Sequence, residues 1–437
     1  MKKLLPLLCA GFLTVTVFAQ NNKCATMDVF AKEITNETVK ANYLKAEQAA
    51  RNWLANPVNK QTAHKKTATV ITIPVVVHVV YKTPAQNIPD SQIVRQINIL
   101  NSCFRKQNTN YSQTRPVFDT LGADIEIQFC LADTDPLGAP STGIVRKSAP
   151  TSAGFDPLFN NDKVKSSATN GDDPWPHDKY LNIWVCDMSI FGSAFVLGYA
   201  TFPGGPANKD GVVIQSEYFG YGGAAAPNNL AKTTVHEVGH WFGMRHIWAD
   251  DDSGSSGQCD STDFVDDTPN QGAKSQSDCN LAINSCSNEA TYWGTLDPPD
   301  MVENYMDYSA DGCMTMFTKG QKARMYSFLS TDGARIAIKT SPVGCSTVGL
   351  KELYENFEDY VYVYPNPAKD MLHINITKVT PNNLQAAIYN QSGQLVKEIK
   401  QLDFQNTIDL SGLANGLYIV KLFNAEVSVA KKVVLEK

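Results

Sequence analysis

Between Thr69 and Tyr81 the chain reads TVITIPVVVHVVY, an almost unbroken β-branched run that predicts a strand buried on both faces. His78 falls inside this run and is read as a packed core residue, not a ligand. Before it, the polar, helix-prone stretch from about Asn21 to Lys66 sets Met27, Phe30 and Ile34, then Tyr43, Ala46, Ala50 and Trp53, at helical spacing. After it, Pro89-Asp90 starts a helix with Ile93, Ile97 and Leu100 on one face. Ile125, Ile127 and Phe129 alternate with polar residues, and Tyr180 to Val185 and Val212 to Ile214 give two further strands. Gly198 to Thr201 reads as a short edge strand, open to main-chain pairing with an extended peptide. This alternation predicts an α/β (α+β) domain built on a mixed twisted sheet. From about Val361 the pattern changes: Leu372, Ile374 and Ile376 alternate between Pro, Asn and Gly turns, which predicts a small all-β, Ig-like sandwich.

Chemistry concentrates in one stretch, Thr234 to Trp248, where His236, Glu237, His240, Gly243 and His246 fit the pattern H-E-x-x-H-x-x-G-x-x-H. Residues four apart on a helix lie one above the other, so His236 and His240 converge on one point. Ala231, Val235, Val238 and Phe242 form an apolar stripe beside them, which lays this helix against the sheet. Asn228 or Asn229 is the expected N-cap. Gly243 takes a left-handed conformation at low cost, stopping the helix and returning His246 to the metal. Three neutral imidazoles suit zinc and leave a fourth position open to water, and Glu237 is placed to take that water's proton.

The leader carries Cys24, whose thiolate is a good ligand for that open position; the alternatives are an ordinary disulfide or an idle thiol, and Asp28 is a second candidate blocker. Downstream of the motif, Asp250 to Asp252, Asp260, Asp263 and Asp266-Asp267-Thr268 make an acidic loop. Oxygen ligands this dense suit calcium, against the plain reading of a solvated acidic loop.

Length and composition narrow the class. At 437 residues there is room for two or three domains, and 43% hydrophobic with 19% charged residues is ordinary for a globular protein. A net charge of -6 argues against a nucleic-acid partner. Lys2-Lys3 followed by an apolar run from Leu4 to Phe18 reads as a secretory signal peptide, residues 1–19, so no integral membrane segment is expected once it is removed. Ten cysteines suit an exported protein. Cys259, Cys279, Cys286 and Cys313 fall in a stretch poor in apolar residues, which needs staples; crossed disulfides are favoured over a second zinc site because no C-x-x-C pair is present. The pairing of Cys103, Cys130, Cys186 and Cys345 stays open.

With Asn304-Tyr305-Met306-Asp307-Tyr308 following the zinc motif, the chain resembles the metzincin metalloproteases. Within that clan it is similar to the pappalysin group, including the cytophagalysin-like enzymes. The likeness rests on HEVGHWFGMRHIW, DDTPNQ at Asp266 to Gln271, VENYMDYSADGCMTMF at Val302 to Phe317, and the capping-box helix starting Thr318-Lys319-Gly320-Gln321, over roughly Thr69 to Ile338. It implies a secreted zinc endopeptidase acting on proteins or peptides. His236, His240 and His246 would bind zinc, Glu237 would be general base and acid, Met306 would form the turn below the metal, and Tyr308 would steady the intermediate. It further implies disulfides Cys259 to Cys286 and Cys279 to Cys313, calcium near Asp266, Asp267 and Thr268, and a primed-side preference for Arg or Lys served by Asp311.

Tyr364-Pro365-Asn366-Pro367, Gly393, Gly416-Leu417-Tyr418 and Lys431 to Val434 resemble the type IX secretion sorting domain of Bacteroidetes. That implies the type IX machinery as a partner and passage through the periplasm to the surface or medium; a substrate-binding sandwich is the competing reading. The expected order is signal peptide 1–19, pro-segment 20–66, catalytic domain 67–345, linker 346–360 and sorting domain 361–437. A non-catalytic adhesin on the same scaffold is the alternative function, and the intact Glu237 weighs against it.

Overall fold

The β-branched run forms β1 (Ile71–Tyr81), the strand from which the larger domain is built. The computed structural model describes residues 23–65, 69–160, 162–190, 192–220, 229–250, 259, 261–272, 274–275, 279–286, 292–294, 296–345, 357–376, 384–403, 405–423 and 428–437. The expected signal peptide, Lys66, Asn228, Asp251, Asp252, Asp260 and most of the expected linker lie outside these residues.

Among the described residues three helices come first, α1 (Thr26–Glu33), α2 (Glu37–Leu54) and α3 (Pro57–His64), with the Asn36 and Asn56 side chains accepting from backbone N–H groups to cap the second and third. After β1 come α4 (Asp90–Phe104), the single turn α5 (Pro116–Asp119), β2 (Ile127–Leu131), β3 (Ile144–Ser148), β4 (Leu181–Cys186), β5 (Gly198–Ala200) and β6 (Val212–Gln215). The sheet order is β2-β1-β4-β6-β5, with β3 also paired to β1. All pairs are parallel except β5 with β6, so β5 is an antiparallel edge strand, as the pattern predicted. Ile125 falls just outside β2, and β3, with its exposed polar residues, was not foreseen. Pro74 is tolerated inside β1 because the β4 pairing begins only at Val75, leaving no ladder bond for its missing N–H on that side.

Burial on both faces explains the continuous hydrophobicity. Ile73, Val75, Val77 and Val79 of β1 join Ile183, Val185, Val212 and Ile214 in one core, shared with α4 and α6 (Lys232–Trp241). Val80, Trp184, Cys186, Tyr199 and Val213 point the other way into a second core under Phe155. Each fully buried Val or Ile contributes roughly 1.5–3 kcal/mol, so the sheet holds the domain together. His78 is a core residue: its ring stacks on Trp184, Nδ1 lies 2.7 Å from Asp172 and Nε2 3.1 Å from Asn182.

The domain closes with α7 (Lys319–Phe328), started by the expected capping box of Thr318 and Gln321, and α8 (Ile336–Lys339). Arg335 sends two N–H groups to Asp210 and Nε–H to the Trp241 carbonyl, tying the last turn of α6 to the sheet. Disulfides join Cys130 to Cys345, Cys259 to Cys286 and Cys279 to Cys313, while Cys24, Cys103 and Cys186 are free.

Among its described residues the C-terminal domain has seven strands, β7 (Val361–Tyr364), β8 (Met371–Ile376), β9 (Gln385–Asn390), β10 (Leu395–Ile399), β11 (Gln405–Asp409), β12 (Gly416–Phe423) and β13 (Ser428–Leu435). They form antiparallel sheets ordered β10-β9-β12-β13 and β11-β8-β7. Leu372, Ile374, Ile388, Val420, Leu422 and Val433 fill the sandwich between them. Among the described residues no helix is long and apolar enough to cross a membrane.

Cys130–Cys345 closes a loop of 215 residues around the sheet. Replacing both cysteines by serine is expected to lower stability by about 2–4 kcal/mol, read as a drop in the thermal unfolding midpoint; an unchanged midpoint would show that the bridge constrains nothing.

Candidate metal centre

Helix α6 begins after Ala231, which takes a left-handed φ of 61° and supplies no side-chain cap. The expected cap by Asn229 is corrected here: its Oδ1 accepts the Ala231 N–H at 2.7 Å, one residue too early. Asp311 does the work instead, its Oδ2 accepting from Leu230 and Lys232 N–H at 2.9 and 3.1 Å. A carboxylate there also suits the positive end of the helix.

From that start, His236 and His240 project from one face, and Gly243, at φ 85°, ends the helix where a Cβ would lie 2.2 Å from the Phe328 ring. His246 then returns to the same point. The three Nε2 atoms lie 3.0–3.1 Å apart. Each Nδ1 faces an acceptor: the Tyr305 carbonyl for His236 at 2.7 Å, the Met244 carbonyl for His240 at 2.8 Å, and Asp250 Oδ1 for His246 at 2.6 Å. An Nδ1 that donates leaves its lone pair on Nε2, so three lone pairs meet at one spot. Burial pushes His236 down to about 3 and His240 well below its ordinary value, which keeps both rings neutral. Three converging lone pairs repel one another unless a cation lies between them, so these residues fit a metal ion.

The fourth member is Cys24: its Sγ and the three histidine nitrogens all lie within 4.8 Å of one another, and among the described residues no other such group occurs. Burial and then the Glu237 carboxylate push its thiol well up. A cation at the histidine focus is what would favour the thiolate. Asp28 is not part of the cluster; it sits further into α1, facing the charges of Lys32 and Lys274. Glu237 is fully buried, and its Oε2 accepts from Thr26 Oγ at 2.9 Å and from Cys24 Sγ at 3.4 Å. Burial pushes its carboxyl up to about 8, against those two hydrogen bonds. Met306 lies directly under the helix, where a Cβ on Gly239 would come within 2.5 Å of its sulfur. Tyr308 Oη accepts the Cys24 N–H at 3.2 Å and donates to the Cys24 carbonyl at 3.0 Å, with its ring edge-on to His246.

The N-terminal segment is thus threaded through the site. Cys24 pairs parallel with Gly198 of the edge strand, and the Ala25 N–H bonds the Gly198 carbonyl at 3.0 Å. Beside it lies a cavity of about 610 Å³ lined by Lys23, Lys232, Glu237, Tyr308 and Asp311. Lys23 Nζ donates there to the carbonyls of Tyr308 and Ser309 at 2.9 and 3.0 Å. Burial lowers the Lys23 pKa, while Asp311 and Asp307 work to hold the ammonium charged.

In the acidic loop, Asp267 accepts from Thr318 Oγ at 2.6 Å and Gly320 N–H at 2.8 Å, Thr268 Oγ donates to Asp263, and Asp266 pairs at the surface with Lys60. Asp250, assigned with this loop from sequence, belongs instead to His246. Its signal was legible in the four-residue spacing from His246, which places a carboxylate within reach of that ring. Thr26 and Lys23 carried no such signal.

A zinc-type histidine helix laid against a mixed sheet, with an edge strand alongside and a methionine turn below, defines a metallopeptidase-type domain. The peptidase family model described as pregnancy-associated plasma protein-A matches residues 164–330, and a secretion system C-terminal sorting domain matches residues 362–436. An extracellular metalloprotease of Pyricularia oryzae is 42% identical over 156 residues, 35% of this chain and 49% of that protein. One of Podospora anserina is 31% identical over 276 residues, 61% of this chain and 76% of that protein. The chain spans about half the length of the fungal relatives with 42% identity, 49% and 50% in two of them. Among solved structures, mature mirolysin of Tannerella forsythia in complex with a cleaved peptide is 41% identical, with TM-score 0.56, covering 63% of this chain and 97% of that one. A promirolysin mutant of the same organism is 37% identical, with TM-score 0.58, covering 72% and 97%. The chain belongs to the pappalysin family of metallopeptidases and carries a type IX secretion sorting domain. Its place is outside the cell or on the outer surface.

Asp250→Asn removes the anionic acceptor of His246 while keeping the size. It is expected to weaken metal affinity about tenfold to a hundredfold, read by competition with a chelator; unchanged affinity would show that Asp250 does not hold the ligand.

Proposed function

We propose that this protein is a secreted zinc endopeptidase made latent by its own leader. The observation that carries the reading is the focus of three imidazole Nε2 atoms with the Glu237 carboxylate beside it and a thiol facing both. His236, His240 and His246 would hold the zinc, with Cys24 in the fourth position until the leader leaves. When bound, zinc supplies Lewis-acid polarisation of the scissile carbonyl and a water made acidic enough, pKa near about 7, to react at neutral pH.

Glu237 takes the proton of the attacking water and passes it to the leaving amine. Its burial supports this role, because a carboxylate held out of water is a stronger base than an exposed one. Tyr308 donates its hydroxyl proton to the developing oxyanion, from the place where it now donates to the Cys24 carbonyl. Substrate backbone adds to the edge strand β5, where the leader backbone now pairs. Lys23, with its ammonium between two carbonyls and near Asp311 and Asp307, supports a preference for Arg or Lys on the primed side.

Calcium in the acidic loop belongs to the same proposal. Asp263 and Asp267 are both buried, and burial pushes the Asp263 carboxyl up to about 8. A divalent cation held with Asp266, Asp267 and Thr268 would favour the ionised form of these buried carboxyls.

Activity is tested by cleavage of an unbiased peptide library with the processed protein, cut sites being read by mass spectrometry. Glu237→Ala is expected to slow hydrolysis by about a hundredfold to ten-thousandfold, and a zinc chelator to abolish it. A correctly processed, metal-loaded protein that cuts nothing would move the reading to a binding protein.

Latency is tested separately. Cys24→Ala in the unprocessed chain is expected to give hydrolysis without removal of the leader, whereas Asp28→Ala should stay latent. If both stay as latent as the parent, the thiol is not the block.

A further inference from the structure

Besides the contacts around Cys24, the leader makes a buried ion pair behind the histidine motif. Glu47 of α2 is 6% exposed, and both of its oxygens accept from Arg324 of α7, Nη1 to Oε1 at 3.0 Å and Nη2 to Oε2 at 2.9 Å. Every other group that orients this guanidinium belongs to the catalytic domain. Nε–H donates to the Gly243 carbonyl at 2.9 Å, and the rings of Phe264 and Phe328 lie 5.0 and 5.4 Å from its centre. The fork is therefore aimed by residues that stay behind when the leader goes, with two N–H donors directed outward. One helical turn before Glu47, the Tyr43 hydroxyl takes Nη2–H of Arg245, whose guanidinium also lies over Phe202 at 4.8 Å. Arg245 immediately precedes the ligand His246, and the Phe202 ring stands edge-on to the ligand His240 at 5.6 Å.

We propose that Arg324 and Arg245 form a receptor that, once the leader is released, binds a helical segment of a protein substrate bearing an aromatic residue and a glutamate one turn apart. This rests on the reading of the first helices as a removable leader. Planar, bidentate pairing selects a carboxylate, the two aromatic flanks exclude water, and the Arg245–Phe202 corner takes a ring. A helix docked there lies along the flank of the metal motif, so neighbouring chain of the same substrate is brought to the cleft. In the unprocessed chain the leader holds the receptor closed with Tyr43 and Glu47, and Met27 and Phe30 of α1 also lie against Arg245.

The full-length chain is cut at the leader junction and freed of the leader, with loss of the leader confirmed by mass and retention of the fold by thermal unfolding. The probes are fluorescent helical peptides: a copy of residues 37–54, and an alanine-rich helix of unrelated sequence keeping only Tyr and Glu at that spacing, each with its Glu→Gln counterpart. Both glutamate peptides are expected to bind, and the glutamine forms to bind at least about tenfold more weakly, because an unpaired buried guanidinium is left behind. Equal binding of glutamate and glutamine forms, binding of the leader copy alone, or no binding would each overturn the proposal. Binding is read by anisotropy and needs no hydrolysis. A processed chain that binds these helices but cuts no peptide would sink the proposed activity and leave the receptor standing.

Discussion

Three imidazole lone pairs aimed at one point from buried rings are unstable without a cation, and most of the larger domain is arranged to keep them there. The sheet supplies a rigid floor for α6, Arg335 and Asp210 fix the last turn of that helix, and Asp311 fixes its first. Each ring is then aimed by a different part of the chain: the methionine turn through Tyr305, the helix-ending turn through Met244, and the following loop through Asp250. Because the acceptors come from three segments, no single loop movement can release all three ligands. A site held in this way keeps its tautomers as well as its positions.

On the proposed reading of the first helices as a leader, the same reasoning explains how they would block the site without distorting it. Glu237, the Tyr308 hydroxyl and the open edge of β5 are polar groups that need partners, and in a buried cleft such groups are costly when unpaired. Each finds its partner in the N-terminal segment: Thr26 and Cys24 for Glu237, the Cys24 main chain for Tyr308, and residues 23–25 for the edge. These are the groups that a substrate would satisfy in turn. The leader contacts therefore map the cleft, down to the lysine side chain in the cavity beside Asp311.

What could be read from the sequence was what depends on neighbours in the chain. The spacing of His236, His240, Gly243 and His246 told which imidazoles meet and where the helix stops, β-branched runs gave the buried strands, and alternation gave the C-terminal sandwich. Ile125 was assigned to a strand that begins at Ile127, a boundary that alternation alone does not set. The polar strand β3 escaped because its side chains are largely exposed and leave no hydrophobic period. Asp311 was legible as an acidic group near the site through the family resemblance, but not as the cap of a helix 79 residues earlier. The bridge from Cys130 to Cys345 depended likewise on the tertiary course of the chain, which no spacing rule encodes.

The Cys24 and Glu47 contacts of the N-terminal segment differ in physical kind, and that difference would matter for a chain activated by removal of this segment. A thiol beside a metal site gives a strong contact at one atom, but it is chemically labile and sensitive to whatever competes for the metal. A buried ion pair adds little net stability, since the desolvation of both charges offsets most of their attraction, yet removing one partner is heavily penalised. Glu47 and Arg324 therefore act less as glue than as a register: they make any other placement of α2 on α7 expensive, and so fix where Cys24 arrives. A cut at the proposed leader junction would remove the leader's effective concentration, and the weak net value of the pair would no longer hold it. A register that costs little to undo is compatible with prompt release, whereas an apolar anchor of the same area would keep the leader on the enzyme.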